Sequence, residues 1–226
     1  MKRRVGFIHT SPAALAPLAE FYRDNAPELD SNNLLDDGVL RLFARGDERE
    51  AERRLADMIC ACRDTYGAEM CVVTCSAVSR SMIARLADAT GVPTIKIDEV
   101  LAYQAVGSGT RLGVLVTFPP TRSVIQRLLQ DAAREEGRQV ELTFKLIPEA
   151  YEALLGGKYE RHDQLLLAGI GELAKEPVDA IVFAQVSMAR LLKKLPATPM
   201  PVLSSLPASL KAIRATLESV PASASR

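Results

Sequence analysis

A cysteine closes a β-branched run in VVTCSAVS (72–79), where small and hydroxyl-bearing residues take over. This is how a buried strand empties into a loop. A thiol at such a strand end, ahead of a helix beginning near Val78, is a candidate acid, base or nucleophile, because the loop's N–H and hydroxyl groups favour the thiolate and lower its pKa. Cys75 is that candidate, with Thr74 and Ser76 beside it as substrate-binding candidates. IVFAQVSMARL (181–191) has the same form, with Gln185 at the matching place. An amide exchanges no proton in the accessible range, but it can hydrogen-bond a carboxylate or enediolate oxygen. Ser187, two positions on, is too weakly acidic to replace a thiol without a partner base, which leaves it a binding role.

Hydroxyls recur at two further strand-to-helix turns, Thr10-Ser11-Pro12 and Thr117-Phe118-Pro119, the second running on to Thr121. An isolated Ser or Thr here is a helix cap, and a helix start of this kind also attracts a carboxylate or phosphate. Their duplication points to the anion role for Thr10, Ser11, Thr117 and Thr121. Arg4, Gly6, Thr10 and Pro12 match Arg111, Gly113, Thr117 and Pro119 at one offset of 107 positions, and Cys75 matches Gln185 at 110. Pro93 and Pro201 fall in a third matched block. The spacing is too wide for a solenoid repeat, so the chain holds two copies of one plan.

The elements that must position these residues alternate. Strands are expected at 5–9, 71–74 and 94–97 in the first copy and at 112–116, 140–146, 179–184 and 201–203 in the second. Helices are expected at 46–67, 78–90, 121–137, 148–155, 159–175, 187–194 and 207–219. Apolar strands between helices imply an α/β fold of two parallel-sheet halves, and ligands of such sheets bind beyond the carboxyl ends of the strands. The expected organisation is a first half over 1–105 joined by the helix 207–219, a second half over 106–206 with the site cleft between the halves, and a disordered tail at 220–226. The segment VGSGTRLG (106–113) precedes a strand where a dinucleotide fingerprint would follow one, and reads as a hinge or crossover.

The 226 residues carry 28 basic and 28 acidic side chains, so no net field favours nucleic acid or an anionic membrane. The four cysteines all lie within residues 60–75, a layout of thiols in a reducing cytoplasm and not of a disulfide framework. Cys71 reads as core. Cys60 and Cys62 diverge on a helix and lack zinc-ligand partners, so no metal is expected. His9 sits beside Thr10, either lining the site or packed in its strand. His162, near the start of a long helix, reads as a capping or surface residue.

Two duplicated α/β halves, a hydroxyl-rich first turn and a cysteine in VVTCSA resemble the aspartate/glutamate/hydantoin racemase superfamily over nearly the whole chain. The resemblance implies a cofactor-independent enzyme, with a cysteine from each half facing the substrate's α-carbon. The first maps onto Cys75 and the second onto Gln185, so single-cysteine chemistry is expected on a small carboxylate or amino acid. Decarboxylation and cis-trans isomerisation are alternatives within the superfamily, and a non-catalytic carboxylate-binding protein is the alternative outside it. Expected partners are a small carboxylate substrate, no nucleic acid and no membrane, with a homo-oligomer left open.

Overall fold

The computed structural model describes residues 2–220. They form two compact units: Met1–Ile97 with Ser209–Arg226, and Asp98–Ala208.

In the first unit the order is β1 (Arg3–His9), a 3-10 turn (Pro12–Ala14), α1 (Leu15–Asn25), β2 (Leu29–Leu35), α2 (Gly38–Ala44), α3 (Glu48–Tyr66), β3 (Met70–Val73), α4 (Arg80–Thr90) and β4 (Thr94–Lys96). The strands form one parallel sheet in the order β2-β1-β3-β4. All four residues of β3 are buried, as is β1 from Val5 onward. Helices on both faces require such continuously apolar central strands. Each fully buried Val or Ile contributes about 1.5–3 kcal/mol. The amphipathic α3 starts at Asp47, which accepts from the N–H of Glu50, and stops at Gly67 in the left-handed region (φ 66°). It buries Leu55, Ile59 and Cys62 under the sheet.

In the second unit follow α5 (Glu99–Ser108), β5 (Arg111–Val116), α6 (Thr121–Glu135), β6 (Glu141–Leu146), α7 (Pro148–Leu155), α8 (Tyr159–Leu173), β7 (Ala180–Phe183), a 3-10 segment (Val186–Lys194) and β8 (Val202–Leu203). The sheet is again parallel, in the order β6-β5-β7-β8. The final helix, α9 (Ser205–Ser219), leads back into the first unit, where the hydroxyls of Tyr22 and Ser209 meet at 2.7 Å and Arg214 pairs with Glu28 at 2.6 Å.

The duplication is written in the strand register. Ile8 lies opposite Val73 in the first sheet and Leu115 opposite Phe183 in the second. Two residues beyond each pair come Thr10 with Cys75, and Thr117 with Gln185.

Several elements differ from the sequence expectation. β2 (LDSNNLL) lacks β-branched residues and is partly exposed. As an edge strand it is held by a seven-residue register with β1 and not by burial. α2 was not expected. α5 occupies part of the segment read as a crossover, burying Leu101, Ala102, Ala105 and Val106 on the second unit's core. The stretch after Gln185 is 3-10 and not α-helical. The expected tail falls, from residue 221, outside the described residues. Among the described residues no helix is long and apolar enough to cross a membrane.

Candidate functional site

At the carboxyl edge of the first sheet the chain leaves β3 through residues 74–79, and Ser79 caps α4 by accepting from the N–H of Met82 at 3.2 Å. Cys75 lies inside this loop, 5% exposed, and is therefore further from the helix start than its sequence suggested. The lowered thiol pKa expected from the sequence is not what results. Burial pushes the Cys75 thiol up, because a thiolate there loses its hydration. Part of that rise is offset by the Thr10 side chain, the backbone N–H groups of Ala77 and Val78, and the charge of Lys96. The thiol is thus held protonated, in surroundings built to receive the thiolate.

Behind Cys75 runs a buried polar chain. Thr74 Oγ1 lies 3.2 Å from the carbonyl of Ile8 and 3.0 Å from His9 Nδ1, and His9 Nε2 lies 2.9 Å from Asn33 Oδ1. Burial lowers the His9 pKa, partly countered by Asn33, so the ring is neutral at pH 7. A neutral ring that donates Nε2–H to Asn33 leaves Nδ1 as an acceptor, and the single Thr74 hydroxyl proton is shared between it and the carbonyl of Ile8. His9 therefore packs within its strand and orients Thr74. Ser11 is half-buried and its Oγ accepts from the N–H of Ala13 at 3.4 Å, the cap of the 3-10 turn. Ser76 is half-buried in the Cys75 loop.

The second sheet's edge carries the matching set. The N–H of Thr117 donates to Gln185 Oε1 at 3.2 Å. Thr117 Oγ1, Gln185 Nε2, Ser204 Oγ and Ser205 Oγ are all buried without a hydrogen-bond partner among the described residues. An unmet buried polar atom costs about 1–3 kcal/mol, and these four gather where the strands of the second sheet end. Thr121 is buried as the first residue of α6, its N–H bonded to the carbonyl of Phe118 at 2.9 Å. Ser187 is buried within the 3-10 segment. Thr10 and Cys75 are thus joined in the first unit, and Thr117 and Gln185 in the second. Among the described hydrogen bonds, none ties the side chains of Ser11, Ser76, Thr121 or Ser187 to Cys75 or Gln185.

The 3-10 segment is clamped from α8. Asp163, 6% exposed, accepts from Arg190 Nη1 at 2.9 Å and Lys194 Nζ at 2.9 Å, and His162 Nδ1 lies 3.2 Å from the same carboxylate. His162 is wholly buried, which overturns the capping or surface role read from the sequence. Its helix turns that face onto Leu166 and Ile170 in the core. Burial lowers its pKa, with Asp163 opposing.

Two residues escaped the sequence reading. Asn33 lies in the unrecognised β2. Lys96, 2% exposed, ends β4. The signal for Lys96 was available: a lysine between two isoleucines at the end of a strand, where an apolar residue is the rule.

The model of the Asp/Glu/hydantoin racemase family matches residues 29–213. Among solved structures, the chain is similar to the glutamate racemase isoform RacE1 from Bacillus anthracis (16% identity, TM-score 0.68, covering 96% of this chain and 82% of that one). It is also similar to allantoin racemase from Klebsiella pneumoniae (19%, 0.67, 98% and 91%). The maleate isomerase Iso from Pseudomonas putida is a third such structure (21%, 0.58, 96% and 94%). At these identities the likeness is one of fold. No curated protein matches by sequence. The family match covers most of the chain and includes both Cys75 and Gln185: this protein belongs to the Asp/Glu/hydantoin racemase family.

Proposed function

We propose that this protein is a cofactor-independent enzyme acting at the α-carbon of a small carboxylate or amino acid, with Cys75 as its single acid/base group. The observation that carries the reading is the setting of Cys75: a buried thiol at a strand end whose ionised form is favoured by the Thr10 side chain, two backbone N–H groups and a buried lysine. Each unit carries its own candidate donors for carboxylate oxygens, Thr10, Ser11 and Ser76 in the first and Thr117, Thr121, Gln185 and Ser187 in the second, while Thr74 is held by His9 and Ile8 beside them. Gln185 binds and does not transfer protons.

A thiol kept protonated by burial is suited to the acid's part. It protonates a carbanion or enediolate: the S–H bond breaks, the C–H bond forms and the electron pair stays on sulfur. With one such group, protonation comes from one face, as after loss of carbon dioxide. In its thiolate form Cys75 can instead add to an activated double bond, allow rotation and depart, giving cis-trans isomerisation. The similarity to a maleate isomerase bears on this second version.

The test is turnover in deuterated water of aspartate, glutamate, malonate and maleate relatives. One-sided deuterium incorporation is expected, as is a loss on the order of 10² to 10⁴ in rate for Cys75→Ala. Gln185→Cys, which restores a second acid, is expected to raise racemisation. Equal interconversion of both enantiomers by the unmodified protein would demand a second base. Absent turnover, with carboxylate binding indifferent to Cys75→Ala, would instead make this a carboxylate-binding protein.

A further inference from the structure

Lys96 has entered so far only as a charge that favours the Cys75 thiolate, and its place in the fold makes that role more specific. Burying an ammonium costs several kcal/mol unless opposite charge or hydrogen bonds compensate it, so one placed this deep in a unit has a reason to be there. The register of the sheet gives its position: β4 runs parallel beside β3 with Lys96 opposite Val73, so the strand that delivers Lys96 is the neighbour of the strand that delivers Cys75. Both residues lie at the carboxyl edge.

The second unit supplies an internal control. Its sheet pairs Ile181 with Val202 where the first pairs Cys71 with Thr94, so Ser204 occupies the place of Lys96, just as Gln185 occupies that of Cys75. One copy has a thiol and an ammonium at these two positions. The other has an amide and a hydroxyl, both neutral. At these matched positions the cation accompanies the group that can become an anion.

Resting on the acid/base reading of Cys75, we propose that Lys96 is a positioning residue acting through that thiol, its ammonium stabilising the negative charge left on sulfur when Cys75 gives its proton to carbon. Bond changes are those of the proton transfer, and Lys96 keeps its own protons throughout. The charge of Lys96 acts on Cys75 in this direction, opposing the effect of burial. Of the groups that act on this thiol Lys96 alone carries a charge, and His9, bonded to the neighbouring Thr74, is neutral through burial.

The experiment is a thiolate titration by absorbance at 240 nm, taken as the difference between each protein and its Cys75→Ser counterpart. It requires neither substrate nor turnover, so it fails or succeeds independently of the functional reading. Lys96→Met is expected to move the Cys75 midpoint up by at least about one pH unit, a ten-fold loss of thiolate at fixed pH, while Lys96→Arg leaves it near the wild-type value. An unmoved midpoint in Lys96→Met, or an equal rise in Lys96→Arg, overturns the proposal, the latter because shape and not charge would then be at work. Should Lys96→Met fail to fold, the wild-type protein labelled with 13C-lysine decides the matter. The Lys96 Cε resonance is expected to shift at the pH where the thiolate forms and to lose that step in Cys75→Ser, and a resonance without such a step overturns the proposal.

Discussion

The backbone N–H of Thr117 reaches Oε1 of Gln185 at 3.2 Å and so turns the amide to leave Nε2 buried and unpartnered. The two residues thereby present a side-chain N–H and a hydroxyl at adjacent strand ends, and an incoming carboxylate can take both. Gln185→Glu replaces the donor with a negative charge. It is expected to weaken carboxylate binding on the order of 10- to 100-fold, read by titration calorimetry against the tightest ligand of an aspartate, malonate and maleate panel. Binding unaltered by the substitution would remove Gln185 from the site.

Gly6 of β1 has no room for a side chain. A Cβ there would stand 2.6 Å from Cys62 Sγ and 3.0 Å from Cys71 Sγ. Gly6→Ala is expected to destabilise the protein by about 1–3 kcal/mol through overpacking, measured by urea unfolding, and Cys62→Ala in the same chain should recover part of the loss. An additive double variant would show that the clash is relieved elsewhere.

Both histidines are buried with pKa values lowered from 6.5. Below that value the unfolded chain binds protons that the folded one refuses, so stability falls as pH drops through 6.5, and the loss ends only below the depressed folded values. The slope approaches ~1.4 kcal/mol per pH unit for each histidine. Urea midpoints at pH 7.5 and 5.5 should differ in that sense, and His162→Leu should shrink the difference. Asp163 and Asp179, two of the acids held low, titrate beneath this window. Asp163 is kept down, against its burial, by Lys194, His162 and Arg190, and Asp179 sits at about 2 beside Arg111.

Asp163 joins two cations of the 3-10 segment that begins after Gln185. Asp163→Ala leaves Arg190 and Lys194 without it, and a loss of about 2 kcal/mol is expected from these charged hydrogen bonds. If the clamp also fixes Gln185, carboxylate affinity falls in Asp163→Ala and recovers in Asp163→Glu. A stability loss without that recovery confines Asp163 to the fold.

What could be read from the sequence was whatever burial writes into composition. β1, β3, β5 and β7 are continuous apolar runs because helices cover both faces of each sheet, and their ends located Thr10, Cys75, Thr117 and Gln185. β2 was hidden because Asp30, Ser31, Asn32 and Asn33 form an edge strand through backbone pairing alone, and Asn33, the partner of His9, was hidden with it. The ionisation of Cys75 was misjudged because a loop's sequence records which donors it contains but not how much water it excludes. No pattern of residue types encodes the bond from Thr117 to Gln185, which exists only once the two strand ends lie side by side.

The part of α9 that completes the first unit, from Ser209, follows the whole of the second in the chain. On the ribosome, residues 98–208 therefore emerge as one uninterrupted segment and can fold as they appear, while Tyr22 and Glu28 wait for Ser209 and Arg214. The unit that carries Cys75 is begun first and finished last. A chain ended after residue 208 should protect the second unit from protease while the first remains open to it, so the thiol would reach its buried setting only as the rest of α9 is delivered.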